Sequence, residues 1–199
     1  VADGISNSNR PEKASKLAMQ LLSQIESLSR QTIYDLQSSL SEELAEDYFG
    51  SATTFVAAEI DQITRKAKIL SVGDSRAYLI DTKGNWQQIT QDHSILSELL
   101  SDFPDKKEED FATIYGGVSS CLVADYSEFQ DKIFYQEIEI QQGESLLLCS
   151  DGLTDGLLEE MREKIWKQYD NDKSRLTVYR KLIEKQRFYD DLSVIICAF

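Results

Sequence analysis

The sequence predicts an α+β fold in segregated layers, with helices covering sheets. Three features of the pattern predict it. Apolar residues recur at helical spacing from Ala14 to Leu44, short β-rich segments separated by turn chemistry follow, and a second helical stretch gives way to one last β-rich run. The first helix opens at Pro11, with Asn9 or Ser8 as its cap and Glu12 at the positive end of the dipole. Ala14, Leu17, Ala18, Leu21, Leu22, Ile25 and Leu28 mark one buried face and carry the helix to Leu28. A second amphipathic helix turns Ile33, Leu36, Leu40 and Leu44 inward, and Gly50 closes it. Strands are predicted over 53–60, 66–72, 77–81 and 86–90, with Thr82-Lys83-Gly84-Asn85 as a turn. A short helix over about 93–100 leads into an acidic, solvated loop, Asp102 to Asp110. Further strands are predicted over 114–121, 132–140 and 145–149, then helices over 156–169 and 174–187 and a last strand over 192–198. No repeat and no Gly/Ser linker divides the chain, so residues 1–199 read as one domain.

Composition narrows the partners. With 199 residues, 41% of them hydrophobic and 10% aromatic, the chain can bury a large core, which excludes wholesale disorder. A formal net charge of −14 repels phosphate backbones and anionic lipid, so neither nucleic acid nor a membrane surface is the expected partner. The same field suits divalent cations. The longest uncharged stretch, Phe111 to Ala124, is too short to cross a bilayer and contains Gly116-Gly117, and no signal peptide is visible. Cys121, Cys149 and Cys197 form no close pair and sit in apolar stretches. They read as buried free thiols in a reducing compartment, hence a cytoplasmic protein.

The chemistry lies in aspartates placed where β runs meet turns. Asp3-Gly4 opens the chain, Asp74 follows the run KAKILSV, and Asp151-Gly152 follows SLLLCS with Asp155 one short step later. Asp190-Asp191 stands just before the final strand. Asp-Gly also serves turns for backbone reasons alone, but several such sites in one chain are harder to dismiss. Carboxylates with few His or Cys companions are the ligand set of Mg²⁺, Mn²⁺ or Ca²⁺. A calcium loop of the Asp-x-Asp-x-Asp-Gly type is absent, and with His93 as the one histidine no GxSxG elbow supports a serine triad.

Taken in order, VADG at 1–4, SATTFVAA at 51–58, ILSVGDSRAYLI at 69–80, ITQDHS at 89–94, LLLCSDGLTDGL at 146–157 and YDDLSVII at 189–196 resemble the metal-dependent PP2C-type (PPM) protein serine/threonine phosphatases. The resemblance implies a PP2C-like α-β-β-α sandwich of two antiparallel sheets flanked by helix pairs, with a binuclear Mn²⁺ or Mg²⁺ centre at one end. It implies that Asp3 bridges two metals, that the Gly4 carbonyl helps hold one, that Asp151 and Asp190 bind the second, and that Asp74 and Asp155 belong to the region of a third, weaker ion. A metal-bridging water or hydroxide would then attack phosphorus in line, with no phosphoenzyme. The implied partner is a protein phosphorylated on serine or threonine by an opposing kinase. Compactness suggests a bacterial source. Thr53 and Thr54 are expected to satisfy backbone groups beneath the metal loop, Ser75 and Arg76 to brace the Asp74 turn, and His93 to be a structural imidazole, since its word in the family is not a catalytic position.

Departures from the family define a second reading. The family usually begins with two strands carrying an Arg for the substrate phosphate and an acidic metal ligand; these leading strands are expected to be missing from this chain. Ile5-Ser6-Asn7-Ser8-Asn9 replaces a glycine-rich continuation, and Ile5 takes a place where some relatives carry a His proposed as leaving-group acid. Ile5 is also poorly suited to left-handed backbone. Asp191 replaces a frequent Asn, and the segment between Asp110 and Tyr135 is short where a mobile flap is frequent. A catalytically weak PP2C-like scaffold or regulatory module is therefore the alternative to a working phosphatase.

Overall fold

Pro11 opens α1 (Pro11–Leu22) in the computed structural model, which describes residues 1–111, 117–187 and 189–199. Helix α2 (Arg30–Glu43) follows, with Thr32 Oγ1 accepting the Ser29 N–H at 3.1 Å. Next come β1 (Ala52–Thr53), β2 (Phe55–Asp61), β3 (Lys66–Val72), β4 (Arg76–Ile80) and β5 (Trp86–Gln88). After them lie α3 (Ile95–Asp102), β6 (Leu122–Val123), β7 (Phe134–Glu139) and β8 (Ser145–Cys149). The chain ends with α4 (Asp151–Thr154), α5 (Glu159–Gln168), α6 (Asp172–Ile183) and β9 (Val194–Ala198).

All strand pairings among the described residues are antiparallel. One sheet runs β2-β3-β7, the other β5-β4-β8-β9, and β1 pairs with β6. Alternation along each strand builds the layers. Val56, Ala67 and Ile69 from one sheet meet Ala77, Leu146 and Leu148 from the other, forming the middle of the sandwich. The opposite faces of the same strands turn outward. Phe55, Ala57, Leu70 and Val72 pack under Ala14, Ala18, Ile33, Leu36 and Leu40 of α1 and α2. Tyr78, Ile80, Leu147 and Cys149 pack under Leu153, Ile165, Trp166, Tyr179 and Ile183 of the later helices. The result is helix, sheet, sheet, helix, in agreement with the predicted α+β class.

Several boundaries differ from the sequence expectation. Helix α1 stops at Leu22 rather than Leu28, because Glu59 on β2 captures the following segment. Its carboxylate accepts the Leu28 N–H at 2.6 Å and the Ser27 hydroxyl at 2.9 Å, so Leu28 joins the core from a turn. Neither Asn9 nor Ser8 caps α1. Arg10 takes that place in left-handed backbone (φ 48°), while Ser8 Oγ accepts the Ala52 N–H at 3.1 Å and Asn9 donates to the Phe49 carbonyl at 3.1 Å. The helix predicted from residue 156 begins at Glu159, after the separate short α4, and α6 ends at Ile183. Of the strand predicted over 114–121, residues 114–116 lie outside the described residues. Residues 117–121 hold only an isolated Val118–Ser94 bridge, and the paired residues are Leu122 and Val123, matched by Ala52 and Thr53. Residues 102–107 are exposed, as expected of the acidic loop. The three cysteines are free, Cys149 buried and the others half-buried. No helix among the described residues is long and apolar enough to cross a membrane.

The layering makes a stability prediction. Ile69 is fully buried between the sheets and Ile63 is 94% exposed. Ile69→Ala is expected to cost about 2–5 kcal/mol in urea denaturation, and Ile63→Ala less than about 0.5 kcal/mol.

Candidate metal centre

Asp3 is held by its own peptide groups. Residues 1–5 run beside β1 and β2: the Val56 N–H donates to the Val1 carbonyl at 2.9 Å, the Thr54 N–H to the Asp3 carbonyl at 2.8 Å, and the Ile5 N–H to the Ala52 carbonyl at 3.0 Å. The side chains of Thr53 and Thr54 complete the grip. Thr53 Oγ1 donates to the Asp3 carbonyl at 2.8 Å, and Thr54 Oγ1 accepts the Asp3 N–H at 3.3 Å. Gly4 bridges to Thr53, and the first residue of α1 sits directly on it: a Cβ there would stand 2.6 Å from the Pro11 Cβ. Ile5 has no positive φ, so the altered loop after Gly4 places no strain on a β-branched residue.

Asp74 sits where the chain passes from the first sheet to the second. Gly73, at φ 98°, makes the turn, and a Cβ on it would stand 2.7 Å from Thr54 Cβ. Ser75 Oγ and Thr54 Oγ1 are 2.6 Å apart, which ties this turn to the segment beneath Asp3. On the other side the Gly73 N–H donates to His93 Nδ1 at 3.1 Å, and the His93 N–H donates to the Gly73 carbonyl at 2.9 Å. Burial draws the His93 imidazole below its ordinary pKa, so its neutral form supplies the Nδ1 acceptor. Arg76 Nε donates to Asp92 at 2.9 and 3.0 Å, with Nη2 2.5 Å from the same carboxylate. Thr53, Thr54, Ser75, Arg76 and His93 thus all have structural partners.

Asp151 lies two residues past the end of β8, and the Ser150 between them is laced to the segment that leads into β9. Ser150 N–H donates to the Ser193 carbonyl at 3.0 Å, Ser150 Oγ accepts the Ser193 N–H at 3.0 Å, and the same hydroxyl donates to the Asp191 carbonyl at 3.0 Å. Gly152 packs so closely that a Cβ would overlap the Asp191 carbonyl. Sequence reasoning did not single out Ser150. The available signal was its place between a five-residue apolar strand and Asp-Gly. The Asp155 N–H donates to the Asp151 carbonyl at 2.7 Å, and the Asp155 side chain lies at the exposed rim with Asp190.

The carboxylates interact across these loops. Burial is the main cause that pushes Asp3 up to about 8; its hydrogen bond with Asp151 and the charges of Asp151, Asp190 and Asp191 add to it. Asp74 is pushed up to about 6, first by burial and then by the Asp151 charge. Asp155 is raised by desolvation and by the charges of Asp151 and Asp190. Asp151 Oδ1 is buried and has no hydrogen-bond partner. Asp190 Oδ1 accepts the Asp191 N–H at 2.8 Å, turned toward its own backbone. Among the described residues no three His, Cys, Asp or Glu side chains stand arranged to hold a metal ion. The donor set nevertheless fits one: it is all oxygen, mutually repelling, and includes a buried oxygen of Asp151 that lacks a partner.

The model of the protein phosphatase 2C family matches residues 1–182. The serine/threonine phosphatase stp of Listeria monocytogenes is 34% identical, with 84% of this chain and 70% of that protein covered. A bacterial serine phosphatase of known crystal structure superposes with a TM-score of 0.82 at 25% identity, covering 98% of this chain and 83% of that one. The catalytic domain of the serine/threonine protein phosphatase PstP, solved in complex with two manganese ions, has a TM-score of 0.78 at 21% identity, covering 98% and 84%. At that identity the likeness concerns the fold. The chain belongs to the protein phosphatase 2C family of serine/threonine phosphatases.

Proposed function

We propose that this chain hydrolyses phosphoserine and phosphothreonine in proteins with the help of two divalent cations, Mn²⁺ or Mg²⁺. Asp3, the Gly4 carbonyl, Asp151 and Asp190 would hold the pair, and Asp74 and Asp155 would serve a third, weaker position. One observation carries the reading: carboxylates from distant parts of the chain meet, so that the charges of Asp151 and Asp190 act on the buried Asp3, while Asp151 Oδ1 is buried without a partner. A cation held there would offset the mutual repulsion and satisfy the bare oxygen. The PstP domain solved with two manganese ions supports the choice of ion.

Bound there, two divalent ions supply an activated water for in-line attack on phosphorus and positive charge for the phosphoryl oxygens. The protein's own part is positioning. The hydrogen bonds at the Asp3 peptide fix one wall of the site, and the Ser150 hydroxyl holds the Asp190-Asp191 segment against Asp151. Asp190 joins the others by turning from the Asp191 N–H. No phosphoenzyme is required, and none of these steps calls on His93. The substrate is a phosphoprotein produced by an opposing serine/threonine kinase, and the three free thiols suit a reducing cytoplasm. Of the grounds for the scaffold alternative, strain at Ile5 finds no support in its ordinary backbone.

Aryl-phosphate hydrolysis titrated with Mn²⁺ tests the reading. Turnover is expected to vanish with a chelator and to fall at least about a hundredfold in Asp151→Asn. A folded protein with no turnover at any Mn²⁺ concentration would sink the proposal. Gly152→Ala is expected to part Asp151 from the Asp191 segment and lower Mn²⁺-dependent turnover about tenfold; unchanged turnover would show that this close packing is not needed.

A further inference from the structure

His93 joins two parts of the molecule that the chemistry above treats separately. Its backbone and ring together grip Gly73, through Gly73 N–H to Nδ1 at 3.1 Å and His93 N–H to the Gly73 carbonyl at 2.9 Å. Its own carbonyl accepts the Ser119 N–H at 2.9 Å, Ser94 bridges to Val118, and the Ile95 N–H donates to the Gly117 carbonyl at 2.8 Å. Segment 92–95 is therefore fastened on one side to the Asp74 turn and on the other to 117–119. From Gly73 the connection continues inward. Thr54 packs against Gly73, its hydroxyl meets Ser75 at 2.6 Å, and its peptide and hydroxyl hold the backbone of Asp3. The adjacent Arg76–Asp92 pair closes the same turn from outside.

We propose that His93 is a positioning residue for the cation site, its Nδ1 fixing the Gly73–Ser75 turn so that Asp74 and, through Thr54, Asp3 are held ready for metal. The proposal rests on the reading of these carboxylates as cation ligands. It assigns a role to the imidazole that needs neither contact with substrate nor a change of protonation. The requirement is an acceptor at the Nδ1 position. An asparagine side chain places its oxygen close to that position, whereas a glutamine places its oxygen nearer that of Nε2.

Binding of Mn²⁺ to the metal-free protein, followed by the loss of the free-ion EPR signal, separates the possibilities. His93→Gln is expected to weaken Mn²⁺ binding about tenfold, and His93→Asn to bind as the unaltered protein does. Equal binding by all three proteins overturns the proposal, as does equal weakening in both variants, which would show that the Nδ1 acceptor is not what counts. Absence of Mn²⁺ binding by the unaltered protein overturns both this proposal and the metal-dependent function. A second measurement needs no variant. Coupling is reciprocal, so Mn²⁺ must tighten the grip on Gly73, and exchange of the Gly73 amide hydrogen is expected to slow when Mn²⁺ is added. Exchange unaffected by saturating Mn²⁺ likewise overturns the role of His93.

Discussion

Two carboxylates within hydrogen-bonding reach of each other, partly removed from water, oppose folding, because ionised they repel and each has lost hydration. Asp3 and Asp151 stand in that relation, with Asp190, Asp191 and Asp74 adding the same sign of charge nearby. A chain of net charge −14 has no surplus of cations with which to relieve it. The sandwich carries the burden: its apolar layers bind the strands whose ends deliver these residues, and hydrogen bonds of Thr53, Thr54, Ser150 and His93, with the Arg76–Asp92 pair, close the turns. Any cation that enters removes part of the strain and stabilises the folded chain by mass action. Stability and the proposed metal binding would therefore be linked at this end of the molecule.

The two sheets share the work unequally. Asp3 lies beside β2 of the three-stranded sheet, and Asp151 and Asp190 lie at the meeting of β8 and β9 in the other. Asp74 occupies the crossing between β3 and β4, where the chain leaves one sheet for the other. A site assembled in this way depends on how the sheets face each other, which is the task of Val56, Ile69, Ala77, Leu146 and Leu148 in the middle layer. Packing in the core and geometry at the carboxylates are thus one problem.

Much of this was legible in the sequence, and the reasons are physical. A short apolar run bounded by turn residues is a local signal, so LLLC at 146–149 and KILSV at 68–72 read as strands without help from the rest of the chain. The aspartates were legible because each stands where an apolar run stops. What could not be read was set by partners far along the chain. Glu59 ends α1 from over thirty residues away, Ala52 draws Ser8 from the capping position that its residue type predicts, and β6 is placed by its match to β1. The lacing of Ser150 to Asp191 and Ser193 is equally remote, so a serine that secures the site looked like any other strand-end serine.

The site is also uneven in rigidity, and the asymmetry follows from backbone bonding. Asp3 has hydrogen bonds to both its N–H and its carbonyl, from two threonine side chains and one peptide. Asp190 lies exposed at the rim, and its carboxylate is held by the N–H of its own neighbour. A group fixed by several buried partners keeps its place whether or not a ligand is present, while one held by a single exposed bond reorients at little cost. Cation binding as proposed would therefore require movement mainly on the Asp190 side, and the ordering that accompanies it would fall on the segment that Ser150 secures. In the proposed site the Asp3 wall would be the fixed reference, and its fixity comes from the hydrogen bonds of Thr53 and Thr54.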